Sequence, residues 1–373
     1  MPAKPVILHY LHRDNFGGGP KNVVQVIDAL AGLGEQHVVT AGLGRLTEQV
    51  KSRPEVTLHT VSDISAALFP VTVWQLNSVL GKLRPQLVLT HGQWGGMFMG
   101  MALRMAAPTQ AVFVTQWCSL YESRDAWRAA RNWLAEWLAF SKHQHIVCAS
   151  DGNVRQFLYA GLLDDRSRVT IIPNPLELPV KADPELVAKL VPPARMPGVK
   201  TFVFLGRLER QKRPDWLLKA WKLALNMGMR NARLLLLGEG SWRSRCEHII
   251  RDELMSDTVK LLGHRVDAAS YLQNADGLLL TSLYEGHANV VLEAQALGVP
   301  VLAMDADGVR ESFPSDALAG LVPVGDVMAL AKKLCELAAG EPVAAPSAAI
   351  SLGKEQHAQT CRVLMEKILN QAA

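Results

Sequence analysis

The stretch that decides the fold is "SLYEGHANVVLEAQALGVPV", which runs from Ser282 to Val301. The run "ADGLLLTS" that leads into it is continuously apolar, and this pattern favours a strand buried on both faces of a parallel sheet. The letters "LYEGHA" then predict a loop at the carboxyl end of that strand, and "NVVLEAQALG" predicts a helix that ends at Gly298. Strand, loop and helix in this order form the basic unit of a parallel α/β fold.

The same rhythm of strand and helix repeats on both sides of this stretch. In the second half of the chain, the predicted strands and strand–loop junctions are "TFVFLGRL", "ARLLLLGEG", "VKLLGHR", "ADGLLLTSLYEG", "GVPVLAMDADG" and "AGLVPVGD". In the first half they are "KPVILHYL", "HVVTAG", "QLVLTHG", "QAVFVTQ", "HIVCAS" and "VTIIPNP". Helical spacing between most of these strands indicates two successive parallel α/β halves.

Seven prolines between Pro173 and Pro197 interrupt this rhythm, and the domain boundary is placed at their start. We therefore expect an N-terminal Rossmann-like domain over residues 1–175 and a C-terminal Rossmann-like domain over residues 176–352. Residues 353–373 are expected to form a helix that packs back toward the N-terminal domain. Because ligands bind at the carboxyl ends of strands in such sheets, two domains of this kind predict a binding cleft between them.

Composition narrows the class of protein. Of the 373 residues, 49% are apolar and 20% are charged, which is typical of a folded globular enzyme or binding protein. The net charge of +4 is smaller and less concentrated than the basic stripe of a dedicated nucleic-acid binder. We therefore expect no nucleic-acid partner, whereas anionic small molecules and a membrane surface remain candidates.

The cysteines and the apolar runs indicate the cellular compartment of the protein and its relation to the membrane. The five cysteines are scattered and include no Cys-x-x-Cys pair, which indicates reduced cysteines in a cytoplasmic protein. The apolar run near the N-terminus is too short for a signal peptide. The longest apolar run, from Trp94 to Leu103, stops at Arg104 and is too short to span a bilayer. We expect a protein that is not integral to a membrane.

Two glutamates frame the loop of the opening stretch. Glu285 lies in the loop, and Glu293 lies about one turn inside the helix that follows. Between them, the backbone N–H groups of residues 287–290 are predicted to be free at the helix N-terminus, where phosphate binds readily. A nucleotide sugar has the matching layout, with sugar hydroxyls, diphosphate and ribose hydroxyls in a row.

The whole segment "SLYEGHANVVLEAQALGVPVLAMDADGVRE" resembles the signature of the retaining GT-B glycosyltransferases of family 4, also called group 1. The match to that family's pattern runs through Ser282, Glu285, Gly286, Glu293, Ala294, Ala296, Gly298, Pro300 and Glu311. "FLGRLERQKRP", "IVCASDGNVRQFL" and "VTIIPNPLEL" resemble other segments of the family in the same order. The resemblance implies a GT-B fold, in which two Rossmann-like domains face an interdomain cleft.

Three positions depart from the family pattern. Pro175 replaces the usual glycine after Ile-Pro-Asn, and Arg213 replaces the glycine after Lys212. Asp307 replaces the first glycine of the pair that precedes Glu311. These changes fall in loops, so they bear on contacts with the donor sugar more than on sugar transfer itself.

The resemblance also implies a role for individual residues. Arg207 and Lys212 are expected to bind the donor diphosphate and to neutralise the charge that grows on it. Glu285 is expected to contact donor-sugar hydroxyls, and Glu293 the ribose hydroxyls. The remaining donor contacts are expected from Gly18, Gly19, Gly286, His287, Ala288, Asn289 and Val290.

His91 lies at the carboxyl end of the predicted strand "VLTH" and resembles the family's cleft histidine, which contacts the transferred sugar or the acceptor. We therefore group His91 with Glu285, Arg207 and Lys212 as the catalytic set; a purely structural histidine is the alternative. No Asp-x-Asp segment is suitably placed, because residues 305–307 overlie the glycine-pair region. We expect no metal and no cofactor, with a UDP- or GDP-linked sugar as the donor.

A helical segment between residues 124 and 142 carries an apolar stripe with Trp127, Trp133 and Trp137. Arginines border the stripe, and aromatic residues beside arginine suit a membrane interface and a lipid-linked acceptor. A stripe of this kind more often packs on the core of its own domain, and we expect that outcome here. Peripheral membrane contact through residues 124–142 is the alternative.

The sequence as a whole predicts a cytoplasmic, retaining glycosyltransferase that moves a hexose-type sugar from a nucleotide donor to a hydroxyl acceptor. By analogy with the family, its setting is bacterial surface-polysaccharide or lipid-linked glycan synthesis, at the inner face of the membrane if contact occurs. The nearest alternative is another GT-B enzyme, such as a nucleotide-sugar 2-epimerase or a phosphorylase. A non-catalytic subunit that binds nucleotide sugars is a second alternative, and a nicotinamide oxidoreductase is disfavoured because "HVVTAG" lacks the acidic ribose ligand.

Overall fold

Two parallel sheets, one in each half of the chain, organise the structure. The computed structural model describes residues 4–13, 18–42, 44–62, 69–105, 110–115, 126–176, 189–190, 193–194, 196–341 and 353–372. The chain separates into two compact units. Unit 1 comprises Met1–Pro175 together with Leu352–Ala373, and unit 2 comprises Leu176–Ser351.

Unit 1 is built on a seven-stranded sheet with the strand order β3-β2-β1-β4-β5-β6-β7. Neighbouring strands pair in parallel throughout. The strands are β1 (Val6–Arg13), β2 (Glu35–Ala41), β3 (Val56–Thr60), β4 (Leu87–His91), β5 (Gln110–Thr115), β6 (His145–Cys148) and β7 (Val169–Ile171). The order runs outward from β1 in both directions, so the winding reverses between β1 and β4, where a ligand crevice is expected in folds of this type.

Seven helices accompany this sheet in the described part of unit 1. They are α1 (Gly18–Ala29), α2 (Arg45–Lys51), α3 (Phe69–Leu83), α4 (Gly92–Ala102), α5 (Ala126–Phe140), α6 (Asp151–Tyr159) and, from the end of the chain, the last helix, Lys354–Ala372. Cys361, Met365 and Ile368 of the last helix are buried in one apolar cluster with Ile7 and Leu30. This helix therefore completes the core of unit 1 although unit 2 precedes it in the sequence.

The strand β3 was not predicted from the sequence. Its letters "VTLHT" alternate between apolar and polar residues over only five positions, and only Val56 is buried. β3 is the edge strand of the sheet and pairs with β2 alone. Backbone pairing at the edge forms this strand, and edge strands need little apolar surface.

Unit 2 is built on a six-stranded sheet with the order β10-β9-β8-β11-β12-β13, again with parallel pairs throughout. Its strands are β8 (Lys200–Leu205), β9 (Ala232–Leu237), β10 (Val259–Gly263), β11 (Gly277–Leu280), β12 (Val301–Met304) and β13 (Leu321–Val322). Its helices are α7 (Pro214–Asn226), α8 (Arg243–Asp252), α9 (Ala268–Gln273), α10 (Asn289–Ala296) and α11 (Val327–Ala339). The last helix of the chain, Lys354–Ala372 of unit 1, is therefore α12. All four residues of β11 and of β12 are buried, as the continuous apolar runs predict.

The aromatic stripe of α5 does not pack on the core, so the expectation from the sequence was wrong. Trp127 is 84% exposed, Leu134 49% and Trp137 42%. The buried face carries Asn132, Ala135, Glu136, Ala139 and Phe140. The reason is the close approach of α4, because a Cβ atom on Gly100 would lie only 2.3 Å from the carbonyl oxygen of Leu138. Ala139, a small residue, lies at this contact, and the tryptophans lie on the exposed side of the helix.

Within the described residues, no helix is long and apolar enough to cross a membrane. The cysteines that the structure describes are free, and they are Cys148, Cys246, Cys335 and Cys361. Burial raises the pKa of the Cys148 thiol to about 12 and the pKa of the Cys361 thiol to about 12. These two thiols are therefore protonated, structural side chains at neutral pH.

Candidate functional site

Two loops at the carboxyl edge of the unit 2 sheet are tied together because their strands, β8 and β11, are neighbours. The backbone N–H of Leu283 donates to the carbonyl of Gln211 at 2.8 Å. In return, the side-chain amide of Gln211 donates to the carbonyl of Tyr284 at 3.0 Å. The hydroxyl of Thr281 donates to the carbonyl of Lys212 at 2.9 Å. This network holds the loop that carries Arg207 and Lys212 against the loop that carries Glu285.

Lys212 and Glu285 form the central contact of this edge. The ammonium of Lys212 donates to Oε1 of Glu285 at 2.5 Å, and the hydroxyl of Ser282 donates to the same oxygen at 2.5 Å. The side chains of Lys212 and Glu285 are only 14% and 9% exposed. An ammonium has three N–H donors, and the described residues use one of those of Lys212. The pair therefore presents a positive charge and a fixed carboxylate at one place.

Arg207 follows β8 and is exposed. Its Nη2 donates to Oε1 of Gln211 at 2.9 Å, the same amide that bonds to Tyr284. The guanidinium has five N–H donors, of which side chains in the described part of the chain accept one. Arg207 and Lys212 thus emerge from one short loop, as expected from the sequence, and Gln211 orients the first of them.

The N-terminus of α10 differs from the prediction of four free N–H groups. The N–H of Ala288 is already taken by the carbonyl of Gly308 at 3.2 Å and the hydroxyl of Ser312 at 2.9 Å. The N–H of Asn289 bonds to the carbonyl of His287 at 2.9 Å. The loop after β12 supplies the partners of Ala288, and such a pairing between distant loops is not visible in the local pattern.

Gly308 is the residue that brings the loop after β12 into contact with the loop after β11. Its φ of +75° is in the left-handed region, and a Cβ atom there would lie 2.1 Å from the carbonyl oxygen of Glu285. The N–H of Glu285 bonds to the carbonyl of Asp307 at 2.8 Å, and the carboxylate of Glu311 accepts the N–H of Gly308 at 2.9 Å. Glycine is therefore required at position 308, and Glu311 holds the turn.

The other predicted residues of this edge lie on the same loop and helix. Gly286 and His287 are buried, and Asn289 and Val290 are half-buried in the first turn of α10. Burial lowers the pKa of His287, and its Nδ1 is buried without a hydrogen-bond partner in the part of the chain that the structure describes. Glu293 is half-buried in the second turn of α10.

The loop after β9 belongs to the same edge and was not singled out from the sequence. A Cβ atom on Gly238 would lie 1.9 Å from the carbonyl oxygen of Gly206, and one on Gly240 would lie 2.3 Å from that of Leu208. The carboxylate of Glu209 also accepts the N–H and the hydroxyl of Ser241, both at 2.7 Å. The signal was present in "LLLLGEG", because two glycines directly after a buried strand indicate a close backbone approach.

Arg213 shows how the chain tolerates the departure from glycine after Lys212. Its φ of 47° and ψ of 51° are left-handed, a conformation that costs a side-chain-bearing residue about 1 kcal/mol. Its guanidinium makes two bonds of 2.8 Å to the buried Asp215 and lies 3.7 Å from the ring centroid of Trp216. These contacts offset the backbone cost and keep the shape of the loop that glycine would give.

The described residues contain no group of three or more His, Cys, Asp or Glu side chains that could hold a metal ion. Asp305, the first residue of the "DAD" letters, forms a salt bridge with Arg310. Among the positive side chains of this edge, Arg207 and Lys212 are the two that the sequence predicted for the donor diphosphate.

In unit 1, His91 is the last residue of β4 and lies directly before α4. Its ring stacks on that of His9 with 5.8 Å between centroids. Nε2 of His91 is buried and has no hydrogen-bond partner within the described residues. Burial, with a smaller contribution from His9, lowers the pKa of His91 well below its ordinary value, so the ring is neutral. Gly18 and Gly19 begin α1, and Phe16 and Gly17 of "FGGGPK" lie outside the described residues.

Buried neutral histidines make unit 1 sensitive to acid. Burial lowers the pKa of His9 to about 4 and the pKa of His143 to about 4, whereas both titrate near 6.5 in the unfolded chain. Their stabilising effect is fully present above the unfolded value and is lost as pH falls toward the folded one. From pH 7 to pH 4.5 we expect each histidine to cost on the order of 2 kcal/mol of unfolding free energy.

Urea denaturation of wild type and of His143→Gln at both pH values measures this effect. The variant should lose less stability on acidification than wild type. His248→Gln, which changes an exposed histidine in unit 2, is the control. Its stability should depend on pH as that of wild type does. An equal pH dependence in His143→Gln and wild type would contradict the assignment.

Two family models match the chain. The model described as "Glycosyltransferase Family 4" matches residues 16–178, and the model described as "Glycosyl transferases group 1" matches residues 199–339. Between them they cover most of both units. The second match contains all the unit 2 residues of the candidate site, from Arg207 to Glu311.

Curated relatives include two enzymes of Escherichia coli. One is UDP-Gal:alpha-D-GlcNAc-diphosphoundecaprenol alpha-1,3-galactosyltransferase, 25% identical over 240 residues, which are 62% of this chain and 61% of the relative. The other, from strain K12, is lipopolysaccharide 1,6-galactosyltransferase, 28% identical over 218 residues, which are 55% of this chain and 57% of the relative. The chain therefore spans less than two thirds of the length of each.

Solved structures resemble the chain over nearly its whole length. Anabaena HepE in complex with UDP and glucose has a TM-score of 0.75 at 16% identity, covering 99% of this chain and 97% of that one. The lipopolysaccharide outer core galactosyltransferase WaaB has a TM-score of 0.66 at 18% identity, covering 98% of both chains. At these identities the likeness establishes a shared fold.

Proposed function

Because this chain belongs to the group 1, family 4 glycosyltransferases and has their GT-B fold, we propose that it transfers a hexose from a nucleotide sugar to a hydroxyl acceptor with retention of configuration. In this reaction the bond between the anomeric carbon and the diphosphate oxygen breaks. A bond between the anomeric carbon and the acceptor oxygen forms, and the acceptor proton leaves with the diphosphate. The observation that carries the proposal is the contact of Lys212 with Glu285 at the carboxyl edge of the unit 2 sheet.

Lys212 and Arg207 supply the positive charge that the departing diphosphate needs. Only interactions that strengthen as the reaction proceeds accelerate it, and the negative charge on the diphosphate grows throughout bond cleavage. Both side chains belong to the same loop, which is held in place by the hydrogen bond that Gln211 donates to Tyr284 and the one that Thr281 donates to Lys212. Fixed charges of this kind need no reorganisation when the bond breaks, which supports a reaction without a metal ion.

The carboxylates position the two ends of the donor. Glu285 is held by Lys212 and Ser282, and its carboxylate is an acceptor of the kind that the hydroxyl groups of a sugar require. Glu293, in the second turn of α10, accepts hydroxyl groups of the ribose, and residues 286–290 line the path between the two carboxylates. No protein nucleophile is assigned. His91 stays neutral in unit 1 and contributes a ring nitrogen to sugar or acceptor, and Gly18 and Gly19 allow close backbone approach.

The relatives favour a UDP-linked donor and a glycan or lipid-linked acceptor. HepE is described in complexes with UDP, with UDP and glucose, and with UDP-glucose, and one curated relative transfers galactose from UDP-galactose to a diphosphoundecaprenol-linked sugar. The same names support a place in bacterial surface-polysaccharide or lipid-linked glycan synthesis. We include in the proposal a cytoplasmic location, the absence of a cofactor, and peripheral contact with the inner face of the membrane through residues 124–142.

A thermal-shift titration with UDP-, GDP- and ADP-linked sugars and NAD tests donor binding directly. One nucleotide class should raise the melting temperature of wild type, since ligand at 100 times its dissociation constant adds about 2.7 kcal/mol of stability. Glu293→Ala should lose most of this shift because it removes the ribose acceptor. The shift and the subsequent turnover should persist in EDTA.

Glu336→Ala is the matched control, because it removes an exposed glutamate from α11 in the same unit. It should respond to the donor as wild type does. The proposed site is wrong if no nucleotide sugar stabilises the protein or if Glu293→Ala keeps the full shift. Product analysis with the donor alone separates transfer from epimerisation, and binding without turnover over any acceptor identifies a non-catalytic subunit.

A further inference from the structure

The outward face of α5 carries an unusual number of exposed aromatic side chains. Trp127, Trp133, Leu134 and Trp137 are each between 38% and 84% exposed on one helix of 15 residues. Trp133 and Trp137 stack with 6.4 Å between their centroids, and Nε1 of Trp133 donates to the carbonyl of Ala160 at 3.0 Å. The rings are therefore held in place at the surface. We call these four side chains the aromatic face.

The exposure of tryptophan side chains differs between the two units. In unit 2, Trp221 is fully buried, and Trp216 and Trp242 are half-buried. Every tryptophan that the structure describes in unit 1 is at least 37% exposed, and these are Trp74, Trp94, Trp127, Trp133 and Trp137. Contact between apolar rings and water is unfavourable. A cluster of exposed rings on one helix therefore indicates a surface that binds a partner or a membrane.

Positive charge borders the aromatic face. The guanidinium of Arg104 lies 5.6 Å from the ring centroid of Trp137. Arg131 lies on α5 itself, one helical turn from both Trp127 and Leu134. Lys142 is exposed just beyond the end of α5. The only acidic residue of α5, Glu136, is 1% exposed on the opposite, buried face. The surface thus combines amphipathic rings with cations and shows no carboxylate from its own helix.

We propose that the aromatic face docks on a lipid bilayer with anionic headgroups. Tryptophan rings favour the boundary between headgroups and acyl chains, and arginines beside them pair with lipid phosphates. The charge complementarity favours an anionic bilayer over a second copy of the chain, which would bring the same arginines together across a two-fold axis. Two kinds of signal, apolar and cationic, together give stable but reversible binding.

This docking deepens the lipid-linked acceptor of the proposed function, since it brings unit 1 to the surface in which such an acceptor is anchored. Its physical basis does not depend on the donor site, because none of the residues assigned to the donor lies on α5 and most of them lie in unit 2. Failure of one proposal is therefore distinguishable from failure of the other.

Flotation with phosphatidylcholine vesicles, with and without phosphatidylglycerol, tests the docking. Wild type should float with the anionic vesicles, and Trp127→Ser/Leu134→Ser/Trp137→Ser should bind at least about tenfold more weakly. Trp133 is kept because of its bond to Ala160. The control Leu254→Ser/Met328→Ser/Val363→Ser removes three exposed apolar side chains from other elements and should float as wild type does.

Charge is tested separately with Arg104→Gln/Arg131→Gln, which should weaken binding and remove most of its dependence on salt. Arg230→Gln/Arg251→Gln removes the same charge from unit 2 and should leave binding unchanged. Brominated lipids should quench the tryptophan fluorescence of wild type and quench the triple aromatic variant less. Unchanged circular dichroism and an unchanged thermal shift with the donor show that each variant is folded.

Three results would overturn the docking proposal. The first is a wild-type protein that floats with neither kind of vesicle. The second is a triple aromatic variant that floats as wild type does. The third is light scattering that shows a wild-type dimer, dissociated in the triple aromatic variant, without vesicle binding; the aromatic face would then be an interface between two copies of this chain.

Discussion

Replacing Lys212 with methionine is expected to lower kcat for sugar transfer by about 100- to 1,000-fold, the range seen when one fixed transition-state contact is removed. Lys212 faces Glu285 at 2.5 Å and belongs to the loop that carries Arg207. Methionine keeps most of the length and apolar volume of the side chain but removes its charge. The departing diphosphate then loses one of its two fixed positive partners.

The measurement is the rate of nucleoside diphosphate release and of product formation with the nucleotide sugar that stabilises wild type. Methionine at position 212 also leaves Glu285, which is 9% exposed, without its cation, so a loss of folding could imitate a loss of catalysis. Lys212→Met/Glu285→Gln removes that buried charge; it should recover stability without recovering activity. Lys219→Met, an exposed position on α7, is the control. A kcat of Lys212→Met within about threefold of wild type would remove Lys212 from the reaction.

Replacing Gly308 with alanine is expected to cost about 3 kcal/mol of unfolding free energy and to abolish most donor binding. The added Cβ would lie 2.1 Å from the carbonyl oxygen of Glu285 and 2.9 Å from that of Gly286. Both neighbours are backbone atoms, which cannot swing aside as a flexible side chain could. The loop after β11 must therefore shift, and the position of Glu285 relative to Lys212 shifts with it.

Gly298→Ala provides a matched control for this substitution. Gly298 has nearly the same backbone conformation, with a φ of +70°, but a Cβ atom there would meet nothing within 4 Å. It should cost only about 1 kcal/mol, the conformational penalty alone, and should leave donor binding intact. Urea denaturation and the thermal shift with the donor measure both variants. Equal losses of stability in the two would show that the close approach at Gly308 is not rigid.

Local pattern was enough to predict most of the fold. The strand β11 was predicted from the continuous apolar run "GLLL", and the structure confirms it. The helix α10 ends at Ala296, two residues before the left-handed Gly298 that was predicted to end it. The strand β3 was missed because the alternation in "VTLHT" spans only five residues, and the pairing with β2 at the sheet edge is not visible in the local pattern. The orientation of α5 was wrong because it depends on how closely Gly100 of α4 approaches, a tertiary contact without a local signal.

The candidate site was also predicted only in part from the sequence. Lys212 and Glu285 are 73 residues apart, and spacing alone could not bring them together. The family resemblance placed both at one site, and the strand order β8-β11 supplies the physical reason. The partners of the Ala288 N–H lie on the loop after β12, so the free N–H groups expected at the start of α10 were overcounted. Gly238 and Gly240 directly follow a buried strand, which indicates a close backbone approach, but the sequence analysis did not use this pattern.

The helix α12 has a consequence for the synthesis of the protein. Unit 1 consists of two stretches of chain, and all of unit 2 lies between them in the sequence. Translation delivers the chain from its N-terminus, so the ribosome finishes residues 1–175 long before it makes Cys361, Met365 and Ile368. Until then the nascent first unit leaves Ile7 and Leu30 without part of their cover. Unit 2, encoded as one uninterrupted stretch, is the first of the two units to be synthesised in full.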